Sequence, residues 1–154
     1  MKFEDLDVGF EVRSPTRFVS REEIVAFAER YDRQPIHLEG AGDIPNALFD
    51  DIIGSGFMTL ALTWQLWLDC GLQEADGRGG LGIEHCRWHR ALRPGTSVGG
   101  HFTIIDKRLS SAGHGIVSYA MRLLEIDDTA GEEPCLVEFT TIGIVARHHA
   151  GPPA

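Results

Sequence analysis

The chain has 154 residues, with 14 Lys and Arg against 23 Asp and Glu, and its formal net charge is −9. This length suits one domain with a sizeable core, and the acidic balance argues against binding to nucleic acid or to an anionic membrane surface. The three cysteines form no CxxC pair, which favours reduced thiols. The N-terminus has no apolar segment behind a basic start, so we expect a cytoplasmic protein without a signal peptide.

A short strand and a helix are predicted at the start of the chain. Glu11 to Ser20 suits the strand, and Ser20 then opens a capping box in which its side chain accepts a hydrogen bond from the amide of Glu23. Four apolar or aromatic residues recur on one face of the helix that follows: Ile24, Phe27, Ala28 and Tyr31. Pro35 disfavours helix at the residue before it, so residues 32–46 are predicted as loop.

The longest uncharged stretch runs from Ile52 to Leu68 and contains seventeen residues. Its apolar side chains point in every direction of a helical turn, which predicts a helix buried on all sides. The stretch is shorter than the roughly 20 apolar residues that span a membrane. Ser55 is predicted as the N-cap of this helix. Because the sequence beyond it has the pattern of strands, we expect a curved sheet to wrap the helix.

The C-terminal half is predicted to form an antiparallel sheet. Four stretches separated by turn residues have strand patterns: Ile83–Leu92, Ser97–Leu109, His114–Ile126 and Cys135–Arg147. Short turns join antiparallel neighbours, so these strands predict a meander. Residues 77–82 spell GxGxxG, but no strand precedes them and no helix follows, which predicts a mobile loop. The whole pattern predicts an α+β hot-dog fold over residues 1–147, with residues 148–154 as a flexible tail.

Asp32 and His37 are the candidate catalytic residues. A carboxylate beside an imidazole can hold one water and move a proton to or from it. The alternative is that an acid and a histidine in a surface loop are solvated or cap a neighbouring turn. His85 and His89 lie about 13 Å apart on a regular strand, too far to share a metal ion. The sequence therefore predicts neither a metal site nor a cofactor.

The pattern Asp32-x-x-Pro35-x-His37 resembles the hydratase motif of MaoC-like dehydratases, the family of (R)-specific enoyl-CoA hydratases. Other segments resemble the same family in the same order: Phe3–Leu6, Val8-Gly9, Gly54–Thr59, Gly82-Ile83, Arg87-Trp88 and Arg93–Gly95. The chain departs from the family at Tyr31 and Gln34, where relatives often have glycine and asparagine.

The resemblance implies a role for several residues. Asp32 and His37 are the implied catalytic pair, with Asp32 as the base towards water, and the backbone amide of Gly56 is the implied donor to the thioester oxygen. A helix N-terminus suits that role, because its free amides and positive dipole end stabilise developing negative charge. The alternative is that Gly54 and Gly56 only let the helix enter beneath the sheet. Three further residues are implied as substrate contacts: Tyr31, Ser55 and Phe57.

The activity implied is the reversible hydration of a trans-2-enoyl-CoA to an (R)-3-hydroxyacyl-CoA, with an acyl-CoA or acyl-carrier-protein thioester as substrate. A hot-dog acyl-CoA thioesterase and a non-catalytic acyl-CoA binding protein are the alternatives. Arg87, Arg90 and Arg93 either meet the phosphates of such a substrate or face solvent. A homodimer, or a multiple of it, is expected because one sheet of this size covers the central helix on one side only.

Overall fold

The computed structural model describes residues 1–72, 75–127, 129 and 131–148. Over these residues the chain forms two α-helices and six β-strands, with 3-10 turns at Phe3–Asp5, Pro35–His37 and Ala41–Asp43. The elements in chain order are β1 (Glu11–Arg13), β2 (Arg17–Val19), α1 (Arg21–Tyr31), α2 (Gly56–Asp69), β3 (Gly77–Trp88), β4 (Thr96–Leu109), β5 (Gly115–Glu125) and β6 (Cys135–Val145).

The strands form one antiparallel sheet in the order β1-β4-β5-β6-β3, with β2 also beside β4. Helix α2 lies against β4, β5 and β6, so the predicted hot-dog fold is confirmed. The meander, however, includes only β4, β5 and β6. Strand β3 pairs with β6 at the edge of the sheet opposite β1. Residues 89–95 then cross the sheet from β6 to β2: the His89 amide donates to the Leu136 carbonyl and the Gly95 amide donates to the Val19 carbonyl, both at 2.9 Å.

Helix α1 begins where the sequence predicts. The Ser20 side chain accepts a hydrogen bond from the Glu23 amide at 3.2 Å, while the Glu23 carboxylate binds Arg17. The predicted strand before α1 is interrupted, since β1 and β2 are separated by three residues around Pro15. Proline has no amide hydrogen with which to continue a ladder.

Helix α2 also begins as predicted, but it is not buried all round. Its inward face contains Met58, Thr59, Leu62, Thr63, Leu66 and Trp67, and the Trp67 ring packs against Phe102 and Tyr119 at centroid distances of 5.4 and 5.0 Å. Its outward face contains Phe57, Ala61, Trp64 and Gln65, which are exposed. The expectation of burial on every side is wrong because the sheet covers one side of the helix. No helix among the described residues has the length and apolar character that crossing a membrane requires.

Strand β3 is the largest departure from the sequence prediction. Residues 77–82, predicted as a mobile loop, pair with β6, and the strand ends at Trp88 rather than at Leu92. The ladder between β3 and β6 shifts register at three places, and β3 is exposed along nearly its whole length. The first half of this strand is rich in glycine, which has no side chain, so it shows no alternation of apolar and polar residues that could predict a strand. At the C-terminus, His148 is held by Glu4 and Asp5, and residues 149–154 of the predicted tail lie outside the described residues.

Candidate active site

A cleft of about 940 Å³ opens where the loop after α1 meets the N-terminus of α2. The segment that follows β3 forms its other wall. Its lining includes Asp32, His37, Gly56, Phe57, Thr59 and Trp88. The cleft thus brings together both members of the predicted catalytic pair and the predicted amide donor.

His37 is a buried polar residue of the cleft. It ends the turn that Pro35 begins, its exposure is 4%, and its Nδ1 lies 2.8 Å from the carbonyl oxygen of Ile53. A carbonyl only accepts hydrogen bonds, so Nδ1 carries the hydrogen, and the neutral ring therefore presents the lone pair of Nε2. Nε2 lies 3.5 Å from Oδ2 of Asp32. The ring is thus fixed in one tautomer, with its basic nitrogen beside the carboxylate.

Asp32 follows the last residue of α1 and leaves the helical conformation, with φ −152° and ψ 75°. Its Oδ2 accepts a hydrogen bond from the Ser55 hydroxyl at 2.6 Å, and its Oδ1 accepts one from the Gln34 amide at 2.9 Å. The bond from Ser55, followed by that from Gln34, lowers the pKa of the Asp32 carboxyl below its ordinary value. Asp32 is therefore ionised at neutral pH, and each oxygen retains a lone pair for another donor.

Ser55 joins the helix start to the carboxylate. Its hydroxyl accepts a hydrogen bond from the Phe57 amide at 3.2 Å, which confirms the predicted N-cap, and donates to Asp32. Its exposure is 0%, so the side chain offers a substrate no surface in this structure. Sequence reasoning missed the bond to Asp32, because the two residues are 23 positions apart and no local pattern links them.

Gly56 is the first residue of α2. The Phe57 amide is taken by the Ser55 hydroxyl and the Thr59 amide by the Ser55 carbonyl, whereas the Gly56 amide has no hydrogen-bond partner among the described residues. A Cβ at Gly56 would lie 2.9 Å from the indole of Trp88. Glycine is therefore required here for the close approach of that ring, a reason that the sequence did not indicate.

Trp88 is a cleft residue whose role sequence reasoning missed. Its Nε1 donates to Oγ1 of Thr59 at 3.1 Å and to the carbonyl of Gly56 at 3.3 Å, and about half of the residue is exposed. Thr59 in turn donates to the Gly56 carbonyl at 2.7 Å. The indole thus connects the end of β3 to the first turn of α2.

Of the predicted substrate contacts, Phe57 lines the cleft and Tyr31 does not. Phe57 lines the cleft and is 66% exposed. Tyr31 is 65% exposed on the outside of α1, where its ring packs against Phe27 at a centroid distance of 5.1 Å, and it is not among the residues that line the cleft. Arg90 and Arg93 bring positive charge to the cleft wall, and Arg93 is paired with Asp50 at 2.8 Å.

Comparison with known proteins places this architecture in a family. The MaoC like domain matches residues 6–122. The uncharacterised protein YdeM of Bacillus subtilis is 27% identical over 106 residues, 69% of this chain and 72% of YdeM. The MaoC-like dehydratase of Rhodospirillum rubrum is 27% identical, with a TM-score of 0.81 over 97% of this chain and 99% of that one. The R-hydratase PhaJ1 of Pseudomonas aeruginosa is 19% identical, with a TM-score of 0.70 over 99% of this chain and 94% of that one. The chain therefore belongs to the MaoC-like domain family.

Proposed function

We propose that this protein is a hydratase that adds water reversibly to the double bond of a trans-2-enoyl thioester and forms the (R)-3-hydroxyacyl thioester. The observation that carries the proposal is the Asp32–His37 pair, which faces a cleft at the N-terminus of a helix. Similarity to a protein named as a MaoC-like dehydratase and to one named as an R-hydratase supports the same reaction class.

In the proposed reaction, one water lies between the Asp32 carboxylate and Nε2 of His37. Both atoms accept hydrogen bonds, so the water donates one hydrogen to each and directs an oxygen lone pair at C3 of the enoyl group. The C3–O bond forms as the C2–C3 double bond breaks, and the water proton passes to the pair. Asp32 accepts two other hydrogen bonds and has a lowered pKa, so we assign it the orienting role. The proton acceptor is then His37, in place of Asp32, which the family resemblance implied as the base.

The second half of the reaction places a proton on C2. As the C3–O bond forms, negative charge moves onto the thioester oxygen, and the amide of Gly56 at the N-terminus of α2 is the proposed donor to it. Protonation of C2 by the pair then restores the thioester carbonyl and returns Asp32 and His37 to their starting states. No cofactor enters this scheme, because water supplies every atom added to the substrate.

The proposed substrate class is a coenzyme A or acyl-carrier-protein thioester. The protein is acidic overall, so a substrate bearing phosphates needs local positive charge, and Arg90 and Arg93 on the cleft wall provide it. Phe57, exposed in the same cleft, offers apolar surface to the acyl part.

We also propose that the protein works as a homodimer or a multiple of it. Among the described residues, strand β3 pairs only with β6, and its other side is a sheet edge. Its apolar residues Leu81, Ile83 and Trp88 are 51% to 55% exposed. An apolar pocket of about 560 Å³ lies between this edge and Trp64 of α2. Unpaired edges with apolar side chains favour pairing with another chain. Light scattering of the wild type should give the mass of a dimer, and Ile83→Glu should shift the mass towards that of a monomer. The control is Leu48→Glu, because Leu48 is 87% exposed and lies away from this edge; its mass should not change. A monomer mass for the wild type contradicts the proposal.

The activity test uses crotonyl-CoA and longer trans-2-enoyl-CoAs. Hydration removes the enoyl conjugation and its ultraviolet absorbance, whereas hydrolysis releases a thiol that a thiol reagent detects. We expect loss of absorbance without thiol release, and a product that an (R)-specific but not an (S)-specific 3-hydroxyacyl-CoA dehydrogenase oxidises. Thiol release would identify a thioesterase instead. Saturable binding measured by calorimetry with neither signal would identify a binding protein.

A further inference from the structure

Three side chains with metal-binding atoms meet at the rim of the cleft. They are His89, just after β3, and Cys135 and Glu138 of β6, and their ligand atoms all lie within 4.8 Å of one another. Nε2 of His89 is 3.0 Å from a carboxylate oxygen of Glu138. His89 is exposed and the other two are partly exposed. The Cys135 thiol donates to the Val137 carbonyl at 3.4 Å, a bond that a bound metal ion would replace.

An irregularity in β6 brings Cys135 and Glu138 together. On a regular strand, residues three positions apart point to opposite faces of the sheet. Here Leu123 pairs with Val137 while Leu124 pairs with Cys135, so Leu136 is an extra residue in β6, which forms a bulge. The bulge reverses the alternation between Cys135 and Glu138. The His89 amide bonds the Leu136 carbonyl at 2.9 Å, which holds the imidazole beside the same bulge.

We propose that His89, Cys135 and Glu138 form a binding site for Zn²⁺. Imidazole nitrogen, thiolate sulfur and carboxylate oxygen are the three ligand types that zinc takes in proteins, whereas Mg²⁺ and Ca²⁺ prefer oxygen alone. Ligand atoms on one tetrahedral zinc ion lie about 3.5 Å apart. The three ligand atoms lie within 4.8 Å of one another, so Zn²⁺ binding requires rotation of these side chains towards the ion, and water completes the coordination.

The surrounding charges modulate this site. Arg122 lies 3.9 Å from the second carboxylate oxygen of Glu138 and opposes a cation, but its side chain is 46% exposed and can turn away. Glu132 lies in the same shallow pocket as His89 and Cys135 and favours a cation. Arg90 lies in that pocket too, and Glu133 is paired with Arg13. Zn²⁺ therefore competes with Arg122 for Glu138, so removal of Arg122 should tighten binding.

The site is tested with the full-length protein after treatment with a chelator. Titration with Zn²⁺ against a chromophoric zinc indicator should give one ion per chain, and Co²⁺ should give a thiolate-to-cobalt charge-transfer band that reports sulfur as a ligand. Cys135→Ser and His89→Ala should each weaken Zn²⁺ binding at least about tenfold, since changes even outside the direct ligands cost that much. Cys135→Ser should also abolish the charge-transfer band.

Two kinds of matched variant keep the result interpretable. Cys70→Ser and Cys86→Ser remove the other thiols and should leave both the affinity and the band unchanged, whereas Arg122→Gln should raise the affinity several-fold. Circular dichroism establishes that each variant is folded. Zn²⁺ binding of unchanged affinity in Cys135→Ser, a band that is lost with Cys70 or Cys86 instead of Cys135, or the absence of measurable binding to the wild type overturns the proposal.

Discussion

Replacing Ser55 with alanine tests the arrangement of the cleft most directly. One hydroxyl makes two hydrogen bonds: it accepts from the Phe57 amide at 3.2 Å and donates to the Asp32 carboxylate at 2.6 Å. The side chain is fully buried, so no water takes over either bond without rearrangement. Ser55→Ala therefore removes a helix cap and a charge-assisted hydrogen bond together.

The two losses have different sizes. A helix cap contributes about 1 kcal/mol, and a hydrogen bond to a charged group contributes about 1.5 to 3 kcal/mol. Ser55→Ala should therefore lower the free energy of unfolding by roughly 2.5 to 4 kcal/mol at neutral pH. In a chain of this length, 1 kcal/mol corresponds to about 3 °C in Tm, so we expect a fall of roughly 10 °C.

The dependence on pH separates the two losses. The pKa of Asp32 is lowered in the folded protein, chiefly by Ser55. Its charge therefore adds stability that is present above the unfolded pKa of about 3.9 and lost as the pH falls through the folded pKa. The difference in the free energy of unfolding between wild type and Ser55→Ala should become smaller in acid, and it should approach the contribution of the helix cap alone, about 1 kcal/mol. A carboxyl ¹³C NMR titration should show a higher pKa for Asp32 in the variant.

Ser20→Ala is the matched control, because Ser20 caps α1 through the Glu23 amide and is not among the residues that line the cleft. It should lower stability by about 1 kcal/mol and leave both the Asp32 pKa and the turnover of folded protein unchanged. In Ser55→Ala, turnover of folded protein should fall roughly tenfold or more, a loss comparable to one charge-assisted hydrogen bond. An unchanged Asp32 pKa together with normal turnover would refute the reasoning.

The remaining predictions concern the reacting groups. Asp32→Asn and His37→Ala should each lower hydration roughly a thousandfold, and the double variant should be scarcely worse than the poorer single one, because both groups hold the same water; additive losses in steady-state assays would argue against a shared water. Gly56→Pro and Gly56→Ala both place a Cβ against Trp88, but only proline removes the amide hydrogen. Proline is tolerated in a first helical turn, so its turnover should fall roughly a hundredfold below that of the alanine variant; equal turnover would place the thioester oxygen elsewhere.

Local signals predicted the elements that local interactions form. The capping box at Ser20 and the uncharged stretch that contains Ser55 predicted where both helices start. The alternation of apolar and polar residues predicted the bounds of β4, β5 and β6 within a residue or two. Residues 77–82 were predicted as loop because glycines carry no alternation, yet β6 supplies hydrogen-bond partners along that segment. Strand order depends on pairing between distant segments, so the sequence did not reveal that β3 lies at the far edge.

The candidate site was also predictable from the sequence only where its residues are close together in the chain. The spacing of Asp32, Pro35 and His37 indicated the pair, since proline forces the chain out of helix between the two reacting groups. The contacts that orient the pair come from far along the chain: Ser55 reaches Asp32 across 23 positions, and the Ile53 carbonyl selects the His37 tautomer. Such contacts follow from the packing of the α2 N-terminus against the loop, which no pattern within either segment encodes.

The indole of Trp88 has a consequence for how the molecule assembles. It ties the outermost strand of the sheet to the first turn of α2, so any fraying of that strand withdraws the ring that covers Gly56. In the proposed dimer, a second chain paired along β3 would restrain the same strand. Dilution that separates two such chains should therefore also loosen the N-terminus of α2. Specific activity should then fall as the protein is diluted. One side chain would thus make the chemistry of each subunit sensitive to the presence of its neighbour.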